Sequence, residues 1–133
     1  MMTYDCYALV PELEALPGLL DGLFEFGGVV HHDGERDVPI GSGREACEAF
    51  SRPGFVFIRF RVARVSNTCG GWLYRLEDGD AVIGLSAAVA HAEEVTRWLG
   101  ARVGPACVRG EQPPPDTREE FLAWAERWSG EGR

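Results

Sequence analysis

The sequence predicts an α+β domain: a mostly antiparallel sheet of about five or six strands, helices packed on one face, and an amphipathic C-terminal helix. Three observations lead there. Phe55 to Val65 alternates Val56, Ile58, Phe60 and Val62 with Phe55, Phe57, Arg59, Arg61 and Ala63, the period of a strand with one core face. Asp78-Gly79 lies between two apolar stretches and is the strongest short hairpin signal in the chain. The elements run strand, helix, strand, helix, three strands, helix, strand, helix. That order lacks the regular alternation of a doubly wound parallel sheet.

Thr3 to Val10 reads as the first strand. Pro11 suits the first turn of a short helix through Leu16, where a missing N–H costs nothing. Pro17 restarts the chain; Leu19, Leu20, Leu23 and Phe24 then share a helical face until Gly27-Gly28 ends it. Val29 to His32 predicts a short strand, followed by the polar loop Asp33-Gly34-Glu35-Arg36-Asp37. Ser42-Gly43-Arg44-Glu45 is a capping box that opens a helix through about Phe50. Pro53-Gly54 closes that element.

After the long strand, Ser66 to Gly71 reads as a loop. A two-residue turn at Asp78-Gly79 pairs Leu76 with Ala81, Tyr74 with Ile83 and Trp72 with Leu85, all on one face. A helix from Ala88 to Leu99 has Ala92, Val95, Trp98 and Leu99 as its stripe and Gly100 as its stop. Pro105 to Arg109 is a last strand, and Gln112 to Asp116, with its three prolines, is a stiff connector. Thr117-Arg118-Glu119-Glu120 is a second capping box; Phe121, Trp124, Ala125 and Trp128 follow at helical spacing. One domain results: 1–110 the main sheet and helices, 111–116 the connector, 117–128 the terminal helix packing back.

At 133 residues and 45% hydrophobic content, the chain can bury a core and is not of disordered composition. No run reaches the roughly 20 apolar residues of a spanning helix. Met1 to Cys6 lacks a basic start and an apolar stretch, so a cytoplasmic protein is expected. The chain has no lysine, which excludes Schiff-base, Walker-type and lysine general-base chemistry. Cys6, Cys47, Cys69 and Cys107 are widely spaced and form no Cys-x-x-Cys pair; reduced thiols are expected, the first, second and fourth as small buried apolar groups.

Charge is unevenly spread. Residues 1–50 carry ten acids against Arg36 and Arg44, whereas 51–110 carry five acids against eight arginines. An acidic first third argues against a nucleic-acid partner and suits a basic protein partner, with Asp21, Glu25, Asp33, Glu35 and Asp37 as the contact set. The plainer reading is an acidic surface that keeps the protein soluble. Arg59, Arg61 and Arg64, joined by Trp72 and by Arg75 if the strands pair suitably, form a candidate anion-binding face. The plainer reading there is an exposed sheet face.

Other candidates are weaker. His31-His32-Asp33 and His91-Ala92-Glu93-Glu94 lack metal-ligand spacing, so no metal or other cofactor is expected. Cys69 sits on a glycine-rich loop, with no helix N-terminus or histidine to activate it. Gly41-Ser42-Gly43 reads as helix capping rather than an anion site. Trp98, Trp124 and Trp128 read as core. No catalytic set emerges, and three functions remain: an immunity or antitoxin-like inhibitor that masks a toxin's active site, a small-molecule-binding or enzymatic domain using the arginine face, and an accessory subunit of a larger complex.

Overall fold

The alternating stretches pair into a single antiparallel sheet, and helices cover it from both sides. The computed structural model describes residues 3–25, 29–32, 36–50, 57–62, 68–110 and 115–131, with side chains over 3–23, 40–50, 70–109 and 115–128. The strands are β1 (Thr3–Leu9), β2 (Phe24–Glu25), β3 (Val29–His32), β4 (Arg36–Pro39), β5 (Phe57–Val62), β6 (Thr68–Arg75), β7 (Ala81–Ala88) and β8 (Ala106–Gly110). The helices are α1 (Leu16–Leu23), α2 (Gly43–Phe50), α3 (Ala92–Arg102) and α4 (Arg118–Glu131). Spatial order is β4-β3-β5-β6-β7-β1-β8, with β2 beside β5. Every pairing between described strands is antiparallel.

The α+β class and the antiparallel sheet agree with the sequence; the strand count does not. The described residues form eight strands because short polar segments pair. Phe24 leaves the expected helix for β2, and Arg36 and Asp37 leave the expected loop to begin β4 (Arg36–Pro39) at one end of the sheet. A proline is tolerated there because an edge strand need not donate to a second neighbour. Thr68 to Gly71, expected as a loop, extends β6 because it pairs with the far half of β7. The two expected N-terminal helices are continuous: a 3-10 turn (Leu13–Ala15) runs into α1, and Pro17 sits in its first turn.

The hairpin register is one residue off the expectation. Gly79 N donates to the Leu76 carbonyl and Leu76 N to the Asp80 carbonyl, both at 2.9 Å. This three-residue loop ends on Gly79, whose φ of 94° favours glycine. Tyr74 therefore stands opposite Val82, Leu73 opposite Ile83, and Trp72 opposite Gly84. A one-residue slip moves a strand's residues to the other face, so Ile83 and Leu85 lie away from Tyr74. The sheet can accept this because both of its faces are buried. Leu73, Ile83 and Leu85 pack with Leu20, Phe50, Val95 and Leu99 of α1, α2 and α3. Tyr7, Leu9, Leu76, Val82 and Cys107 pack with Phe121 and Ala125 of α4.

The expectation that the helices pack on one face is corrected: α1, α2 and α3 cover one face and α4, alone among the described helices, the other, because β1, β6 and β7 present apolar side chains to both sides. Both capping boxes form. Glu45 N donates to Ser42 Oγ at 3.2 Å and Glu120 N to Thr117 Oγ1 at 3.1 Å. The glutamates reach back one residue beyond the cap, to Gly41 N and Asp116 N. α3 starts at Ala92, after a 3-10 turn (Val89–His91), and passes through Gly100 instead of stopping there. Val103 N then donates to the Leu99 carbonyl.

Candidate functional site

The register gathers chemistry-bearing residues onto the α4 side of the sheet. One row crosses five strands: Arg59, Trp72, Gly84, Tyr7 and Cys107 are cross-strand neighbours in turn. Alternation along β5 puts Phe57 and Arg61 on the face of Arg59. Arg61 stands opposite Glu25, Phe57 opposite His31, and His31 opposite Asp37. Glu25 and Asp37, grouped by sequence with an acidic docking set, thus share a face with Arg59, Arg61 and Trp72. Arg75 does not join them. It lies on the row of Leu73, and its guanidinium stacks 4.6 Å from the Phe50 ring centre on the opposite face. Asp33, Glu35 and Arg64 lie outside the described residues.

Gly84 lets the Trp72 indole settle onto the sheet. A Cβ there would fall 2.5 Å from Trp72 Cε2. The Tyr7 ring meets Trp72 edge-on at 6.1 Å and Tyr74 edge-on at 5.8 Å. Tyr7 Oη lies 3.5 Å from Asp5 Oδ2, to which it donates. The Tyr74 hydroxyl is buried with no hydrogen-bond partner among the described residues. Burial pushes both phenols above their usual range, and the Asp5 charge adds to the shift at Tyr7. Arg109, only 7% exposed, stacks 4.0 Å from the Trp124 ring centre. Trp124 Nε1 donates to the Val108 carbonyl at 3.2 Å, fixing α4 against β8. Sequence alone pointed to Trp72 and set Tyr74 on its face, but did not point to Tyr7 or Gly84, whose roles arise from neighbours far along the chain.

A second surface is the helical layer of α1 and α2. Each residue from Pro11 to Ala15 is exposed, and the segment presents Leu13, 46% exposed, between Glu12 and Glu14. Glu45 and Glu48 are exposed on α2, the latter 3.5 Å from Arg44. Asp21 acts locally, since its Oδ1 accepts the Gly43 N–H at 2.7 Å and so ties α1 to the start of α2. The helices approach closely there: a Cβ on Gly43 would lie 2.8 Å from Leu20 Cβ. The N–H groups of Gly41, Gly43 and Glu45 are each taken by a side-chain oxygen, the capping role expected of this segment.

The described thiols are not activated. Burial pushes Cys6 and Cys47 up to about 11 and Cys107 up to about 12. Cys6, Cys47 and Cys107 form no disulfide; the first and last are buried and Cys47 is half-buried. The Cys69 side chain lies outside the described residues. His91 Nδ1 is 3.8 Å from Glu94 Oε2, a solvent-facing pair. Among the described residues, no group of three His, Cys, Asp or Glu could hold a metal ion. No described helix is long and apolar enough to cross a membrane.

The fold and these two surfaces define the chain as an α+β protein whose sheet is covered by helices on both faces. Comparison with protein-family models, with characterised proteins and with solved structures gives no match.

Proposed function

We propose that the protein is a small cytoplasmic inhibitor of the immunity or antitoxin-like kind, which neutralises a basic protein partner by covering its active site. The observation that carries this reading is the exposed apolar Leu13 held between Glu12 and Glu14 on the acidic α1–α2 layer. An apolar anchor ringed by like charges suits docking: the charges steer and orient the partner, and the anchor slows its departure. The acidic first third supplies the long-range field, and the net charge of -8 adds to it.

Affinity capture from native lysate should retain a basic protein. With that partner, the Glu12→Gln, Glu14→Gln and Glu48→Gln triple variant keeps side-chain shape and removes three charges. Its association should be slower by about tenfold at low salt, with a flattened salt dependence. Leu13→Ala should raise the dissociation rate instead. An association rate unchanged across the salt series in the triple variant overturns the proposal.

A further inference from the structure

We propose that the open edge of β8, in the groove between α3 and α4, takes an extended basic peptide segment as an added strand. β8 ends the sheet: among the described strands it pairs with β1 alone. Leu9 N donates to the Pro105 carbonyl at 2.8 Å, and the register sets Ala8 opposite Ala106 and Tyr7 opposite Cys107. Bonded and non-bonded pairs alternate across an antiparallel ladder. Cys107 therefore bonds to β1, while Ala106 and Val108 turn their N–H and C=O groups outward. Trp124 Nε1 reaches the Val108 carbonyl from α4, as that direction requires. No described residue takes the N–H groups of Ala106 and Val108 or the Ala106 carbonyl. Such unpaired edge groups are what the backbone of an extended segment complements.

Helices wall this edge on both sides. Gly100 and Ala101 of α3 and Leu122 and Glu126 of α4 line a groove of about 590 Å³, with Pro105 and Ala106 between them. Ala101, Leu122 and Glu126 are exposed, and Ala106 is half-buried. A second copy would bring its own α3 and α4 against these helices before its β8 reached the edge. A lone extended segment enters between them. Charge selects that segment. Arg97 is committed to Glu93, whereas Glu126 has no ion pair among the described residues. A lysine or arginine complements the α4 wall, and Leu122, 38% exposed, offers an apolar contact beside it. The net charge of -8 favours the same basic partner. The groove is separate from the α1–α2 layer, so its occupancy does not depend on the inhibitor reading.

A library of random acetylated hexapeptide amides, panned against the intact protein, supplies the probes. Enriched peptides should carry a lysine or arginine. N-methylation of one alternate set of their residues should weaken binding by about tenfold or more, and of the other set much less, the period of an added strand. Ala101→Trp, which fills the groove from an exposed position, should weaken binding by about tenfold or more. Glu126→Arg should turn the preference from basic to acidic peptides. In amide exchange of the free protein, Ala106 and Val108 should exchange at least about tenfold faster than Cys107, and both should slow when a peptide binds. Four outcomes overturn the proposal: no enriched peptide, N-methylation without alternation, affinity unchanged in folded Ala101→Trp, or self-association that protects Ala106 without peptide.

Discussion

Tyr74 shows how much a single oxygen atom contributes. Its ring packs with Tyr7 in the core under α4, while its hydroxyl is buried without a hydrogen-bond partner among the described residues. A buried, unpaired hydroxyl costs about 1–3 kcal/mol, whereas removing the whole ring opens a cavity costing about 3–5 kcal/mol. Tyr74→Phe should therefore raise stability by about 1 kcal/mol, and Tyr74→Ala should lower it by several times that. Urea melts of the two variants check this. A Phe variant less stable than wild type would mean that the hydroxyl has a partner in solution. Asp21 works in the opposite sense: its carboxylate is committed to the Gly43 N–H, a local demand that its place among acidic residues conceals.

At the scale of elements, β6 and β7 depend on a matched large–small pair. Trp72 lies over Gly84 closely enough that an added methyl group would meet the indole at 2.5 Å. Gly84→Ala should cost about 1–3 kcal/mol, the usual cost of overpacking a filled site. Combining it with Trp72→Leu should cost less than the sum of the two single changes, because the clash exists only while the indole is present. Additive losses in a double-mutant cycle would place the indole elsewhere. The turn that sets this register is specified by Gly79 and by the Leu76–Asp80 hydrogen bond. Asp78 Oδ2 also accepts the Arg118 N–H at 3.0 Å, so the hairpin tip holds the start of α4.

For the whole molecule, the buried thiols set an alkaline limit. Cys6, Cys47 and Cys107 ionise at about 11, 11 and 12 when folded, above the ordinary value of 9.0. The folded state thus holds protons that the unfolded chain releases, and stability falls with pH wherever that difference exists. Their contribution is complete below pH 9.0 and is lost as pH rises through about 11 to 12, with Tyr7 and Tyr74 adding to the loss at the alkaline end. Denaturant midpoints should be level to about pH 9 and decline beyond it, less steeply in Cys107→Ala. A flat profile to about pH 11 would show that these groups reach water when folded. Titration of the unreduced, denatured chain should find about four thiols, as expected for a reduced protein.

The sequence by itself determined the class, both capping boxes, the strand at β5 and the buried stripe of α4. Each of these depends on local period or on residues within one turn of each other. Tertiary structure decided the rest. The hairpin slipped by one residue because helices bury both faces of the sheet, so either alternation was compatible with the apolar pattern. β2 and β4 formed because pairing partners elsewhere in the chain satisfy backbone that is locally polar or short. The candidate face was half legible. Alternation put Arg59 and Arg61 together, but only strand order could place Trp72 beside Arg59, send Arg75 to the other side, and set Glu25 opposite Arg61 and Asp37 opposite His31. Cross-strand neighbours are set by long-range pairing, and residue spacing along one strand does not encode it.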